Sequence, residues 1–181
     1  MSDLRPQAYL IGLIVLLGGA AFVVGRQILR VRRDEITLAR LDDSSKATAG
    51  DSGSLYELAS VQLRKRLYGQ ASDNLKQALK LAETEGAPVE ARALIENALG
   101  FALAAQNKYP AAIRHYRAAL KARADYPVAL NNLGFALEKQ LKPEEARASY
   151  EQALQLDPGN RTAQKRLKGL DRRAGIDRGA A

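Results

Sequence analysis

Residues 127–160 read PVALNNLGFALEKQLKPEEARASYEQALQLDPGN, and residues 93–126 read ALIENALGFALAAQNKYPAAIRHYRAALKARADY. Superposed at a shift of 34, they return Leu99-Gly100 as Leu133-Gly134, Ala112 as Ala146, Tyr116 as Tyr150 and Ala119 as Ala153. Self-similarity at this period marks a helix-turn-helix unit that stacks on copies of itself. Leu130, Leu133 and Leu137 fall at i, i+3 and i+7 on one face of a first helix, while Ala146, Tyr150 and Ala153 line one face of a second. The two faces must meet. Gly134 and Ala146 are small enough for the backbones to approach, and Tyr150 fills the volume they leave. Pro143 suits the first turn of the second helix, and Asp157-Pro158-Gly159-Asn160 stops it.

The same offsets find an upstream copy in Leu55, Leu58, Ala59, Ala71, Leu75 and Ala78, with Tyr68 matching Tyr109. The step to the next copy is 41 rather than 34, and the extra residues fall around Leu81 to Pro88, which predicts a longer corner there. Gln62 stands where the later copies have Leu103 and Leu137, so the first copy is the weakest, and Leu63 is the candidate to supply the missing contact. Thr162 to Arg172 reads as a basic capping helix for the open end. The expected organisation is a membrane anchor with basic flank over 1–33, a linker over 34–54, repeats over 55–88, 93–126 and 127–160, a cap over 161–173 and a tail over 174–181. Ala, Leu, Lys, Arg, Gln and Glu dominate, and no strand candidate survives outside the apolar span. The fold class is all-α: an N-terminal transmembrane helix, then a right-handed α-solenoid of three helix-turn-helix repeats plus a C-terminal capping helix.

No charged residue occurs from Pro6 to Gly25, and these 20 residues span about 30 Å as a helix, the hydrocarbon thickness of a bilayer. A cleaved secretory leader is the rival reading. Against it, the preceding stretch carries one Asp and one Arg rather than a basic region, and the run leads into Arg26, Arg30, Arg32 and Arg33 rather than a clean small-residue cleavage site. Those four arginines follow the span while only Arg5 precedes it, so the positive-inside rule puts the repeats on the cytosolic side or its equivalent.

Cysteine is absent, which excludes disulfides, thiolate metal sites and a cysteine nucleophile. His115 is the lone histidine, on a predicted helix beside the packing residue Tyr116, and no catalytic-type partner recurs with it between repeats, so it reads as a structural or surface histidine. No P-loop, dinucleotide-binding glycine motif or metal-spaced cluster occurs. The reading is therefore a protein with no catalytic, cofactor-binding or metal-binding residues. A net charge of +8 raises nucleic-acid binding as a class, but no reading motif accompanies the basic residues, and none is expected to bind nucleic acid.

What remains is the face of the first helices, which the resemblance named below implies is the concave one. The register turns Tyr56, Ser60, Asn97, Phe101, Asn131, Phe135 and Glu138 inward there. Asparagine offers a donor and an acceptor to an extended backbone, and an exposed aromatic offers an apolar ledge. The phenylalanines have a second role open to them, packing between repeats.

The 34-residue pattern with Leu-Gly, a mid-repeat Ala, an aromatic and a later Ala resembles the tetratricopeptide repeat (TPR). The lysine, asparagine and arginine clamp by which some co-chaperones of this fold hold acidic tails is missing, since its places hold Tyr56, Ser60, Ala98, Val128 and Asn132. With the membrane span, the Arg26-Gln-Ile-Leu-Arg30 exit segment and the Asn131-Asn132-Leu133-Gly134 core, the chain resembles the cyanobacterial and plastid proteins with one membrane helix and three such repeats that assist photosystem I assembly. That resemblance implies a single-pass thylakoid protein with a lumenal N-terminus and repeats on the cytosolic or stromal side. It implies that the repeats hold a photosystem I subunit or assembly intermediate as a non-enzymatic scaffold. The main alternative is a membrane-anchored adaptor for a different complex, which fold alone does not separate.

Overall fold

A computed structural model describes residues 12–29 and 51–175. Arg30, Arg32 and Arg33, most of the linker and the last six residues lie outside the described residues. Helix α1 (Gly12–Leu29) is apolar and, at about 27 Å, long enough to cross a bilayer's hydrocarbon layer. Its Leu13, Val15, Leu16 and Phe22 side chains are all exposed.

Seven further helices follow, α2 (Ser52–Arg64), α3 (Tyr68–Thr84), α4 (Val89–Ala105), α5 (Tyr109–Ala122), α6 (Pro127–Lys139), α7 (Pro143–Leu156) and α8 (Arg161–Ala174). Each packs on its chain neighbour, and first helices also touch across repeats, α2 against α4 and α4 against α6. The result is a three-repeat solenoid closed by α8. No strand occurs among the described residues.

The turn inside each repeat is the same. Arg66, Asn107 and Leu141 take positive φ of 62°, 61° and 57°. The following amides reach back to close the helix end, Leu67 N to the Gln62 carbonyl, Lys108 N to Leu103 and Lys142 N to Leu137, at 2.9–3.0 Å. Proline in the first turn of α5, α6 and α7 costs no hydrogen bond. The core runs as one strip through all repeats, with Leu75, Leu99, Tyr116, Leu130, Leu137 and Tyr150 fully enclosed.

The repeat signature has a steric cause. A Cβ on Gly100 would lie 2.7 Å from the Tyr116 ring, and one on Gly134 would lie 2.7 Å from the Tyr150 ring. In the first repeat the glycine position is Ala59 and the tyrosine position is Leu75, both fully buried. The larger small residue goes with the smaller large one.

The seven additional residues between the first two repeats do not lengthen the corner, which differs from the sequence expectation. Residues 85–88, 123–126 and 157–160 each connect helices with four residues. Instead α3 has 17 residues against 14 in α5, and α4 has 17 against 13 in α6. About one extra turn on each helix keeps the added backbone hydrogen-bonded and buries Ala82 between them. The longer α3 also carries Glu85 to the start of α2, where its carboxylate accepts from the Ser52 amide at 3.2 Å and the Ser52 hydroxyl at 2.6 Å. Helix α2 is N-capped by Asp51, which accepts from the Ser54 amide at 2.8 Å, and the distant Glu85 carboxylate adds a second negative charge at the same dipole end. Gln62 is buried and accepts from Asn74 Nδ2 at 2.9 Å, while Leu63 packs at the core edge.

Candidate protein-binding groove

First helices α2, α4 and α6 touch one another across repeats, and an aromatic cleft lies where α4 and α6 meet the start of α5. Phe101 on α4 meets Tyr68 on α3 edge to face, with ring centroids 6.4 Å apart. One repeat later Phe135 on α6 meets Tyr109 on α5 in the same way at 6.5 Å. Each phenylalanine therefore packs between two repeats while leaving part of its ring exposed. Phe101 is 43% exposed. Between them lies a cleft of about 290 Å³ lined by Phe101, Ala104, Ala105, Asn107, Tyr109, Tyr116, Asn132, Phe135 and Lys139. Tyr116 is its floor, and burial pushes that phenol well above its ordinary value of 10.0. The Phe135 ring also faces cations, with the Arg166 guanidinium 4.9 Å and the Lys139 ammonium 5.5 Å from its centroid.

The asparagines serve the stack itself. Asn97 Nδ2 donates to the Tyr126 hydroxyl at 3.3 Å, and Asn131 Nδ2 donates to Asn160 Oδ1 at 3.0 Å, the same pair of positions one repeat on. Asn132 Nδ2 donates to Asn97 Oδ1 at 3.1 Å, linking α6 to α4. Asn160 in turn caps α8 by accepting from the Ala163 amide at 3.1 Å. The Ser60 hydroxyl turns back to the Tyr56 carbonyl at 2.8 Å, and Tyr56 packs against the core.

Glu138 is also engaged inside the protein. Its side chain is 7% exposed and accepts from the Tyr150 hydroxyl at 2.8 Å and from Arg173 at 2.5 Å, with Arg166 at 3.8 Å. The carboxylate thus ties the cap to the third repeat. The equivalent position in the second repeat is Ala104, which opens the floor of the cleft. His115 Nδ1 lies 2.7 Å from Glu96 Oε2, joining α5 to α4. No group of residues suited to a metal ion occurs among the described residues.

Of the residues the register turns inward, the structure places Phe101 and Phe135 at the cleft, whereas Asn97, Asn131 and Glu138 are held in internal hydrogen bonds. Tyr109 and Lys139 are cleft residues the inward pattern missed. Tyr109 belongs to a second helix and reaches the groove over the turn. The Tyr68 and Tyr109 equivalence was the available signal for it. At the third junction the aromatic positions hold Pro143 and Gly169. A cavity of about 380 Å³ opens beside Pro143, lined also by Leu141, Leu170 and Ala174.

A tetratricopeptide repeat family model matches residues 127–160, and a TPR repeat model matches residues 100–140. The chain is 32% identical over 171 residues to the uncharacterized protein ycf37 of Guillardia theta, covering 94% of each. It is 31% identical over 172 residues to the chloroplastic tetratricopeptide repeat domain-containing protein PYG7 of Arabidopsis thaliana. The chain belongs to the ycf37 and PYG7 family of tetratricopeptide proteins. It spans 56% of the length of the Arabidopsis relative, and 95% of this chain is matched. Among solved structures, MamA superposes with a TM-score of 0.69 at 20% identity, covering 77% of both chains, which reports the shared solenoid fold. The tetratricopeptide fold is a protein-interaction scaffold.

Proposed function

We propose that the chain is a membrane-tethered, non-enzymatic scaffold that holds a photosystem I subunit or assembly intermediate on the inner face of its repeats. The Phe101 and Phe135 cleft carries the binding part of this reading. It is a preformed concave site with four aromatic rings, edged by Asn107, Asn132 and Lys139, of the kind that receives apolar side chains of an extended segment. The chloroplastic relative and the resemblance in layout support the photosynthetic context, and α1 supports the tether. With α1 spanning a thylakoid membrane, Arg26 and the arginines after it favour repeats on the cytosolic or stromal side and a lumenal N-terminus.

The test is complementation of a deletion strain with the wild-type chain and with Phe101→Ala/Phe135→Ala. Loss of the gene is expected to lower photosystem I relative to photosystem II, and the double variant is expected to restore the ratio only partly while accumulating at wild-type levels. An unchanged ratio in the deletion strain under every light regime refutes the assembly role. Full rescue by the double variant refutes the cleft.

A further inference from the structure

Helix α8 closes the solenoid, and the side it turns away from α7 carries charge of one sign. Arg161, Lys165, Lys168 and Arg172 recur at i, i+4, i+7 and i+11, a row along one side of the helix. At 1.5 Å per residue the row is about 17 Å long. All four side chains are exposed. The acids near α8 are engaged elsewhere, Glu138 by Arg166 and Arg173 and Asp171 by Arg147. None of the four forms an ion pair with a carboxylate among the described residues.

A cap needs only a polar outer face, which amides or mixed charges supply as well. Like charges at this spacing destabilise a helix, so polarity does not account for the row. Its exposed neighbours are Thr162 and Gln164, with no aromatic or large apolar side chain among them. Protein interfaces draw their energy from such anchors, and single-stranded nucleic acid needs rings to stack on. A layer of lipid headgroups needs neither, because attraction to it accumulates cation by cation. The same chain carries α1, long and apolar enough to cross a bilayer, and as a tether it would bring α8 to a membrane surface.

We propose that the Arg161, Lys165, Lys168 and Arg172 face of α8 docks on the phosphate headgroups of an anionic membrane leaflet. This rests on α1 acting as the tether. Docking holds the C-terminal end of the solenoid to the surface that α1 holds at the N-terminal end. The groove then runs along the membrane instead of projecting from it.

The chain has no cysteine, so Thr162→Cys accepts one donor fluorophore beside the row. The labelled full chain is reconstituted in nanodiscs carrying a headgroup-linked acceptor, made of phosphatidylcholine alone or with added phosphatidylglycerol. Energy transfer is expected to be stronger in the anionic discs and to fall to the level of the phosphatidylcholine discs as salt rises. Lys165→Gln/Lys168→Gln is expected to weaken docking about 30-fold, from about fivefold per cation, whereas Phe101→Ala leaves it unchanged. Equal transfer in both discs, or wild-type docking by the double variant, overturns the proposal. So does displacement by polyglutamate but not by phosphatidylglycerol vesicles, which assigns the row to an acidic protein. A chain that fails to enter the discs refutes the tether alone. The row is then read by flotation of the full chain with vesicles of the two compositions, where the same 30-fold loss supports docking and indifference to phosphatidylglycerol overturns it.

Discussion

Replacing Gly100 by Ala, alone and with Tyr116→Leu, tests the steric account of the repeat. The new Cβ would sit 2.7 Å from two ring carbons of Tyr116 and 3.1 Å from a third, about 1 Å inside normal contact. Tyr116 is 1% exposed, so the ring has little room to yield. Overpacking of this kind costs about 1–3 kcal/mol, while alanine in place of a helical glycine returns about 1 kcal/mol. The single variant is therefore expected to lose roughly 0–2 kcal/mol, a range too close to zero to be decisive by itself. In the Tyr116→Leu background, which reproduces the Ala59 and Leu75 pairing, only the propensity gain remains. The coupling free energy of the cycle thus isolates overpacking and should be about 1–3 kcal/mol, with the double variant more stable than the sum of the singles. Urea unfolding of the four full-length proteins in detergent, followed by circular dichroism, measures it. Additivity within about 0.5 kcal/mol refutes the steric account.

Leu141 holds a left-handed conformation while 88% exposed, so Leu141→Asn, the residue type of the preceding repeat, is expected to stabilise by about 0.5–1 kcal/mol, read as a higher urea midpoint. Asn160→Ala removes both the α8 cap and the acceptor for Asn131, a loss of about 1–2 kcal/mol, and hydrogen exchange should quicken in α8 while α2 and α3 are unaffected. Burial holds the phenols of Tyr116 and Tyr150 above the ordinary 10.0, with Glu138 adding to the shift at Tyr150. The folded state then keeps protons that the unfolded chain releases, so this stability is complete below about pH 10 and falls above it, by up to about 2.7 kcal/mol per pH unit for the two groups. Tyr116→Phe should halve that slope in urea titrations, and a flat profile through about pH 11 contradicts it.

The helices and their pairing were legible because packing imposed a chemical type at each position, as in Leu133, Gly134, Ala146 and Tyr150. The groove was only half legible. A register states which way a residue points but not what it meets, and Asn97, Asn131 and Glu138 meet partners 29, 29 and 35 residues away in Tyr126, Asn160 and Arg173. The insertion was located but misread, since Glu85-Gly86-Ala87-Pro88 correctly marks a break while the added turns on either side are themselves good helix. Gly86, with φ of 64°, is where the chain turns.

The added turns of α3 and α4 have a bearing on assembly of the chain itself. Identical modules can zip together out of step, each docking where its neighbour belongs, because nothing distinguishes one junction from the next. Here the α3 and α4 extensions match only each other, burying Ala82 and bringing Glu85 to Ser52. A chain that slipped by one module would leave a helical turn overhanging and the start of α2 without its distant carboxylate. Unequal helix length thus serves as an address, giving a nearly repetitive polymer one alignment that closes without loose ends.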